Sequence, residues 1–107
     1  MNFSDTPTPP YFAVIFTSIK NEDNGYEKMA KQMLDLVQNQ PGFLGIESAR
    51  EEIGISVSYW KNLKAIANWK ENLEHQIAQN LGKEKFYHSY KVRICKVERD
   101  YSFSNNL

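Results

Sequence analysis

Between Gly54 and Leu81 the chain changes its hydrophobic period once, at Asn62, and that switch restricts the possible folds more than any other feature. Before it, Ile55, Val57 and Tyr59 alternate with Ser56, Ser58 and Trp60, the two-residue repeat of a strand. After it, Leu63, Ile66, Ala67, Leu73, Ile77, Ala78 and Leu81 recur at the spacing of an amphipathic helix. An Asn side chain at the junction can accept a backbone N–H from the first helical turn, and Gly82 can supply a left-handed stop. A helix is therefore predicted from about Leu63 to Leu81. At about 100° per residue, Trp69 falls roughly 40° beyond one margin of the apolar stripe and His75 roughly 60° beyond the other. Both side chains are expected at the seam between helix and sheet.

The rest of the chain supplies the partners for this unit. Residues Met1 to Pro10, rich in proline and small polar residues, read as a flexible leader. Tyr11 to Lys20 reads as a strand that is apolar on both alternation sets, with Ala13 and Ile15 against Phe12, Val14 and Phe16. Such a strand needs cover on both faces of its sheet. Asn21 to Gly25 is a polar turn in which Asp23 or Asn24 can cap a helix carrying Tyr26, Met29, Ala30, Met33, Leu34 and Val37 on one face. Those methionines fit ordinary helix-on-sheet packing better than a ligand wall. Pro41 and Gly42 end this helix. Phe43 to Ala49 is a second strand, joined through the polar turn Arg50-Glu51-Glu52 to the Gly54–Trp60 strand as a hairpin. Lys83 to Phe86 can add a short turn, Tyr87 to Tyr101 a long last strand, and Ser102 to Leu107 a loose tail.

The order is β-α-β-β-α-β, an α+β class, ferredoxin-like arrangement of a four-stranded antiparallel sheet with two helices on one face. One face of that sheet is left bare while its first strand is apolar on both sides. A second copy of the sheet answers the demand most simply, so a homodimer is expected.

Several runs resemble the antibiotic biosynthesis monooxygenase type of domain: Tyr59-Trp60-Lys61-Asn62, Ala67-x-Trp69-Lys70, Glu74-His75-x-x-Ala78-Gln79, Gly82, and Tyr87-x-x-Tyr90-x-Val92-x-Ile94-x-x-Val97-Glu98-Arg99. The turn Gln40-Pro41-Gly42-Phe43-x-Gly45 completes the resemblance, which spans residues 11–101 as one domain. It implies a dimeric α+β barrel, and members of the family carry out differing chemistry on it.

Composition narrows the partners. Thirteen basic and thirteen acidic residues cancel and no basic stripe is present, which argues against nucleic acid and anionic membrane. No apolar run approaches the ~18 residues of a membrane span, and the opening MNFSDTPTPP lacks the basic and apolar regions of a secretory signal, so a cytoplasmic protein is expected. The single cysteine, Cys95, reads as a small core residue rather than a reactive thiol. Metal-ligand spacing is absent: there is no Cys-x-x-Cys and no His-x-x-x-His. Nor is there a Gly-rich phosphate loop, a serine-nucleophile signature or a pair of carboxylates that spacing brings together.

What remains is an aromatic and histidine set: Tyr59, Trp60, Trp69, His75, Tyr87, His88 and Tyr90. Such side chains can wall a pocket for a small aromatic molecule between helices and sheet, and they can equally fill a core. His75 can pass a proton near neutral pH, or simply sit on the surface beside Glu71 and Glu74. His88, beside the start of the last strand, is the weaker candidate.

The resemblance implies a cofactor-independent oxygenase. In it a bound quinol-like or polycyclic aromatic anion itself activates O₂, with His75 handling the proton and Trp60 and Trp69 shaping the pocket. Two alternatives belong to the same resemblance. One is haem binding and degradation, for which Trp60 matches the tryptophan position; but the first strand offers Thr17 and Ser18 and no Asn before Asn21, and His75 comes late in its helix. The other is a non-catalytic binding or stress-associated dimer that kept the fold.

Overall fold

The computed structural model describes residues 3–21, 25–79 and 86–105, with the backbone alone for 76–79. Its elements follow the expected order: β1 (Tyr11–Lys20), α1 (Tyr26–Val37), β2 (Phe43–Arg50), β3 (Gly54–Trp60), α2 (Leu63–Gln79) and β4 (Tyr87–Val97). The strands form one antiparallel sheet in the order β2-β3-β1-β4. This is the ferredoxin-like α+β arrangement. The caps expected at Asp23 or Asn24, the stop at Gly82, the turn from Lys83 and the apolar position Leu81 lie outside the described residues, as do the side chains of Ile77 and Ala78.

Register assigns the two faces. Phe12 pairs with Trp60 and Lys96, Val14 with Ser58 and Ile94, and Phe16 with Ser56 and Val92, so these residues share one face. Ala13, Ile15 and Thr17 share the other with Tyr59, Val57, Ile55, Cys95, Arg93 and Lys91. The helices cover the first face. Its core is Val37, Trp60, Ala65 and Ile66, with Phe12, Val14, Phe43 and Trp69 packed around it.

Local chemistry fixes how α2 meets the sheet. The Asn62 side chain accepts the Ala65 N–H at 2.8 Å, the cap anticipated from the sequence. Gly42 adopts φ +84°, and a Cβ there would lie 2.6 Å from the Ala65 Cβ, so only glycine lets the α1–β2 turn pass this closely under the first turn of α2. Lys61 N–H donates to the Gly42 carbonyl at 2.8 Å, and the Asn72 amide reaches Gln40 Oε1 at 3.3 Å.

Several expectations are corrected. Of the expected α2 stripe, Ile66 is buried and Leu73 half-buried, but Leu63 and Ala67 are exposed, and Ala65, outside that stripe, is buried beside half-buried Trp69. The turn at Gly42 sets the helix on the sheet by its Ala65 side, which brings Trp69 toward the buried stripe and leaves His75 outside it. β4 ends at Val97 rather than Tyr101, because Val97 pairs with Tyr11, the first residue of β1, and no strand continues beyond it. Cys95 is exposed: it lies on an edge strand, on the face without helices, where no element covers it.

The leader is tied to the helix-free face. The Ser4 N–H donates to Glu47 Oε2 at 2.8 Å, and the Thr6 hydroxyl donates to the Tyr11 hydroxyl at 3.1 Å. Tyr11 in turn donates to Asp100 at 2.5 Å, so the two ends of the chain meet at one buried phenol. Part of the second cover that β1 demands is thus supplied from within the chain. Among the described residues no helix is long and apolar enough to cross a membrane.

Candidate functional site

The two tryptophans are brought together. Trp60, last residue of β3, is 0 % exposed and donates its indole N–H to the Ser58 hydroxyl at 2.8 Å. That bond satisfies a donor which would otherwise be costly to bury. Trp69, two turns into α2, is half-buried and stacks on it with centroids 6.2 Å apart and planes at 27°, while Phe43 meets the other indole edge-on at 5.4 Å. Trp69 is therefore the indole with a free flank, and Trp60 is its backing.

His75 is exposed on α2, and the expected seam position is not where it lies. His88 is exposed as well, although Tyr87 beside it is half-buried. The sequence thus grouped seven candidates that the structure divides among the indole pair, a tyrosine cluster, the helix-free face and the surface.

The tyrosine cluster occupies the opposite end of the helix-covered face. Phe16 contacts Tyr87 edge-on at 5.4 Å and stacks on Tyr90 at 5.2 Å, while Tyr26 from the start of α1 meets Tyr87 at 5.7 Å. Burial pushes the Tyr87 hydroxyl well above the usual phenol range, and the neighbouring Tyr26 phenol adds to this; the Arg50 charge offsets part of it. Between this cluster and the indoles, Tyr90, Val92 and Ile94 line the helix-facing side of β4 and remain 41, 45 and 52 % exposed. They form an open apolar strip on an edge strand.

Arg50 and Lys20 complete this end, and sequence reasoning missed both. Arg50 donates to the Ser18 hydroxyl and carbonyl, and its guanidinium lies 5.1 Å from the Tyr26 ring centre; the Lys20 ammonium lies 5.2 Å from the same ring. The available signal was the glycine opposite: Arg50 pairs with Gly54, and a Cβ at Gly54 would overlap the guanidinium. On the helix-free face, Tyr59 donates to Glu47 at 2.7 Å and meets Tyr11 edge-on at 5.9 Å. Burial, followed by that bond to a carboxylate, pushes the Tyr59 phenol up to about 12.

Among the described residues no three of His, Cys, Asp and Glu are grouped to hold a metal ion. Haem fits poorly: Trp60, the match to the haem-degrading pattern, is sealed from any ligand, and Ser18 is engaged by Arg50. A shallow depression of about 610 Å³ runs along Lys96, Val97, Glu98 and Arg99, but these four consecutive residues give it no aromatic wall.

No family model matches the chain. Over 106 residues it is 50 % identical to the uncharacterized protein YqjZ of Bacillus subtilis (strain 168), covering 96 % of this chain and 93 % of that one. The chain belongs to the YqjZ family. Solved structures connect that family to a fold. SnoaB, a cofactor-independent oxygenase from Streptomyces nogalater, superposes with a TM-score of 0.68 at 12 % identity over 86 % of this chain and 97 % of its own. NE2512 from Nitrosomonas europaea, a protein of unknown function, gives 0.68 at 7 % identity over 92 % of this chain and all of its own. A Bordetella bronchiseptica protein assigned as an antibiotic biosynthesis monooxygenase gives 0.64 at 15 % identity over 88 and 100 %. The YqjZ-family chain thus has the fold of the antibiotic biosynthesis monooxygenase-like proteins, as its motifs resemble. At such identities the likeness is one of fold.

Proposed function

We propose that this YqjZ-family chain is a small cofactor-independent monooxygenase that oxidises a quinol-like or polycyclic aromatic molecule with O₂, working as a cytoplasmic homodimer of the domain at residues 11–101. The observation that carries the reading is the stacked indole pair on the same sheet face as the uncovered β4 strip, in a fold shared with a cofactor-independent oxygenase. Trp69 offers a flat apolar surface against which a fused-ring substrate can lie, and Val92 and Ile94 add exposed apolar surface on the same face of the sheet. Trp60 acts through Trp69, holding its plane. His75 takes the proton whose loss makes the substrate an electron-rich anion, and returns it when oxygen is reduced. The anion gives its electrons to O₂, one oxygen atom is kept as a new carbonyl, and the other leaves as water. All four electrons come from the substrate, so no reductant is required.

Oxygen uptake against a panel of quinols and anthrones tests this, with His75→Ala lowering turnover about 10²-fold or more if it is the proton carrier. No uptake on any substrate removes the reading. A second reading, a non-catalytic binding dimer, is favoured by the complete burial of Trp60, since the place the motif assigns to a reactive indole is filled by the protein's own core. That reading predicts ligand binding without oxygen consumption.

A further inference from the structure

The end of the helix-covered face away from the indoles carries two cations on one tyrosine ring. Arg50 starts on β2, passes over Gly54 of β3 and reaches Ser18 on β1, so its side chain crosses the sheet beneath the first turn of α1. Ser18, its partner, is 2 % exposed. A side-chain carbon at position 54 would close that path. Holding a long, flexible side chain flat across two strands costs rotamer entropy, which a surface arginine avoids. Among the described residues the partners of Arg50 are the Ser18 oxygens and the Tyr26 ring, and Lys20 meets that same ring; none of these carries a negative charge. Among the described residues, two contacts to a serine account for only part of the five-donor guanidinium.

Around these charges stand flat rings: Tyr26, Phe16, Tyr87 and Tyr90. The Tyr87 phenol is engaged with the Tyr26 hydroxyl, so the two rings are held together as one wall. The amino end of α1, at Tyr26, adds partial positive charge. Cations and aromatic faces together suit an aromatic anion better than a neutral ring system, because a carboxylate or phenolate would meet charge-assisted donors at one end and apolar surface along its body.

We propose that Arg50, supported by Lys20, is the anion-recognition element at this end of the helix-covered face, and that the ligand of the YqjZ-family chain is an aromatic acid or acidic phenol bound as its anion. The inference rests on the reading of the helix-covered face as a small-aromatic site and extends it to the end opposite the indoles, but it asserts binding and no turnover.

Calorimetric titration of the full chain under nitrogen, with 1-hydroxy-2-naphthoate and with its methyl ester as probes, tests it. The acid binds about tenfold tighter than the ester, the order expected of one charge-assisted hydrogen bond. Arg50→Gln brings the acid down to the ester's affinity and leaves the ester unchanged. Gly54→Ala does the same by displacing the guanidinium. Lys20→Gln, at an exposed side chain that the fold does not need, lowers acid affinity by a smaller factor and keeps the test available if the other variants fail to fold. Raising the salt narrows the gap between acid and ester. Equal affinity of the two probes, absence of heat with both, or a preference that survives in Arg50→Gln overturns the inference. Oxygen uptake on neutral quinols together with equal probe affinities would sink this inference and leave the oxygenase reading standing.

Discussion

At the scale of single residues, Gly42 and Trp60 carry more of the structure than their size suggests. Gly42 combines a positive φ with a methyl-to-methyl approach to Ala65, so Gly42→Ala combines backbone strain with a clash that neither backbone can relieve. A loss of more than about 1 kcal/mol in urea unfolding is expected, against a few tenths for a surface Gly→Ala. Trp60→Ala would empty the centre of the core and unpair the Ser58 hydroxyl, costing about 3–5 kcal/mol by the same measurement. The phenols give a pH signature. The Tyr11 pKa is raised, chiefly by its hydrogen bond to Asp100, that of Tyr59 is raised to about 12 by burial, and that of Tyr87 is raised by burial. A group whose folded pKa lies above its unfolded value stabilises the fold below the unfolded pKa, and that contribution is lost as pH rises through the folded one. Thermal stability should therefore fall from about pH 10 to about 12, and Tyr59→Phe should flatten part of the fall. Absorbance at alkaline pH should show three of the six tyrosines ionising late.

At the scale of elements, α2 decides the site. Its first turn is fixed by the Asn62 cap, and its rotation by the contact of Ala65 with Gly42. Asn62→Ala removes the cap and should cost about 1 kcal/mol in the same unfolding measurement. It should also loosen the Trp60–Trp69 stack, seen as a red-shifted or broadened indole emission. The rotation that buries Ala65 and Ile66 turns Trp69 inward and leaves His75 exposed. β4 makes the complementary contribution: as an edge strand it pairs only with β1, so Tyr90, Val92 and Ile94 stay open toward the gap.

At the scale of the whole molecule, the two sheet faces are unequally covered. Among the described residues the leader meets the helix-free face near Gly45, Glu47 and Tyr11, while Ile55 remains 48 % exposed on it and Cys95 and Ala49 are exposed beside it. The proposed homodimer buries this surface against a second copy. Sedimentation at micromolar concentration is expected to give a dimer, and Ile55→Glu, the most exposed apolar position of β3's outward row, is expected to give a folded monomer. A wild-type monomer under those conditions would count against the assembly.

The strand and helix assignments, the Asn62 cap and the alternation that separates Ile55, Val57 and Tyr59 from Trp60 were all legible in the sequence, because each depends on a local period or a single junction residue. So was the fold, since β-α-β-β-α-β order with short connections leaves few ways to close a sheet. The tertiary structure alone decided which residues form a site. Arg50 reads as part of a polar turn until the hairpin register sets it opposite Gly54 and above Ser18. Cys95 reads as core until β4 proves to be an edge, and His75 reads as a seam residue until Ala65 fixes the turn of α2. Periodicity gives the spacing of side chains around an axis, whereas the angle at which that axis meets its neighbours is set by contacts between residues far apart in the chain, and those exist only once the sheet has formed.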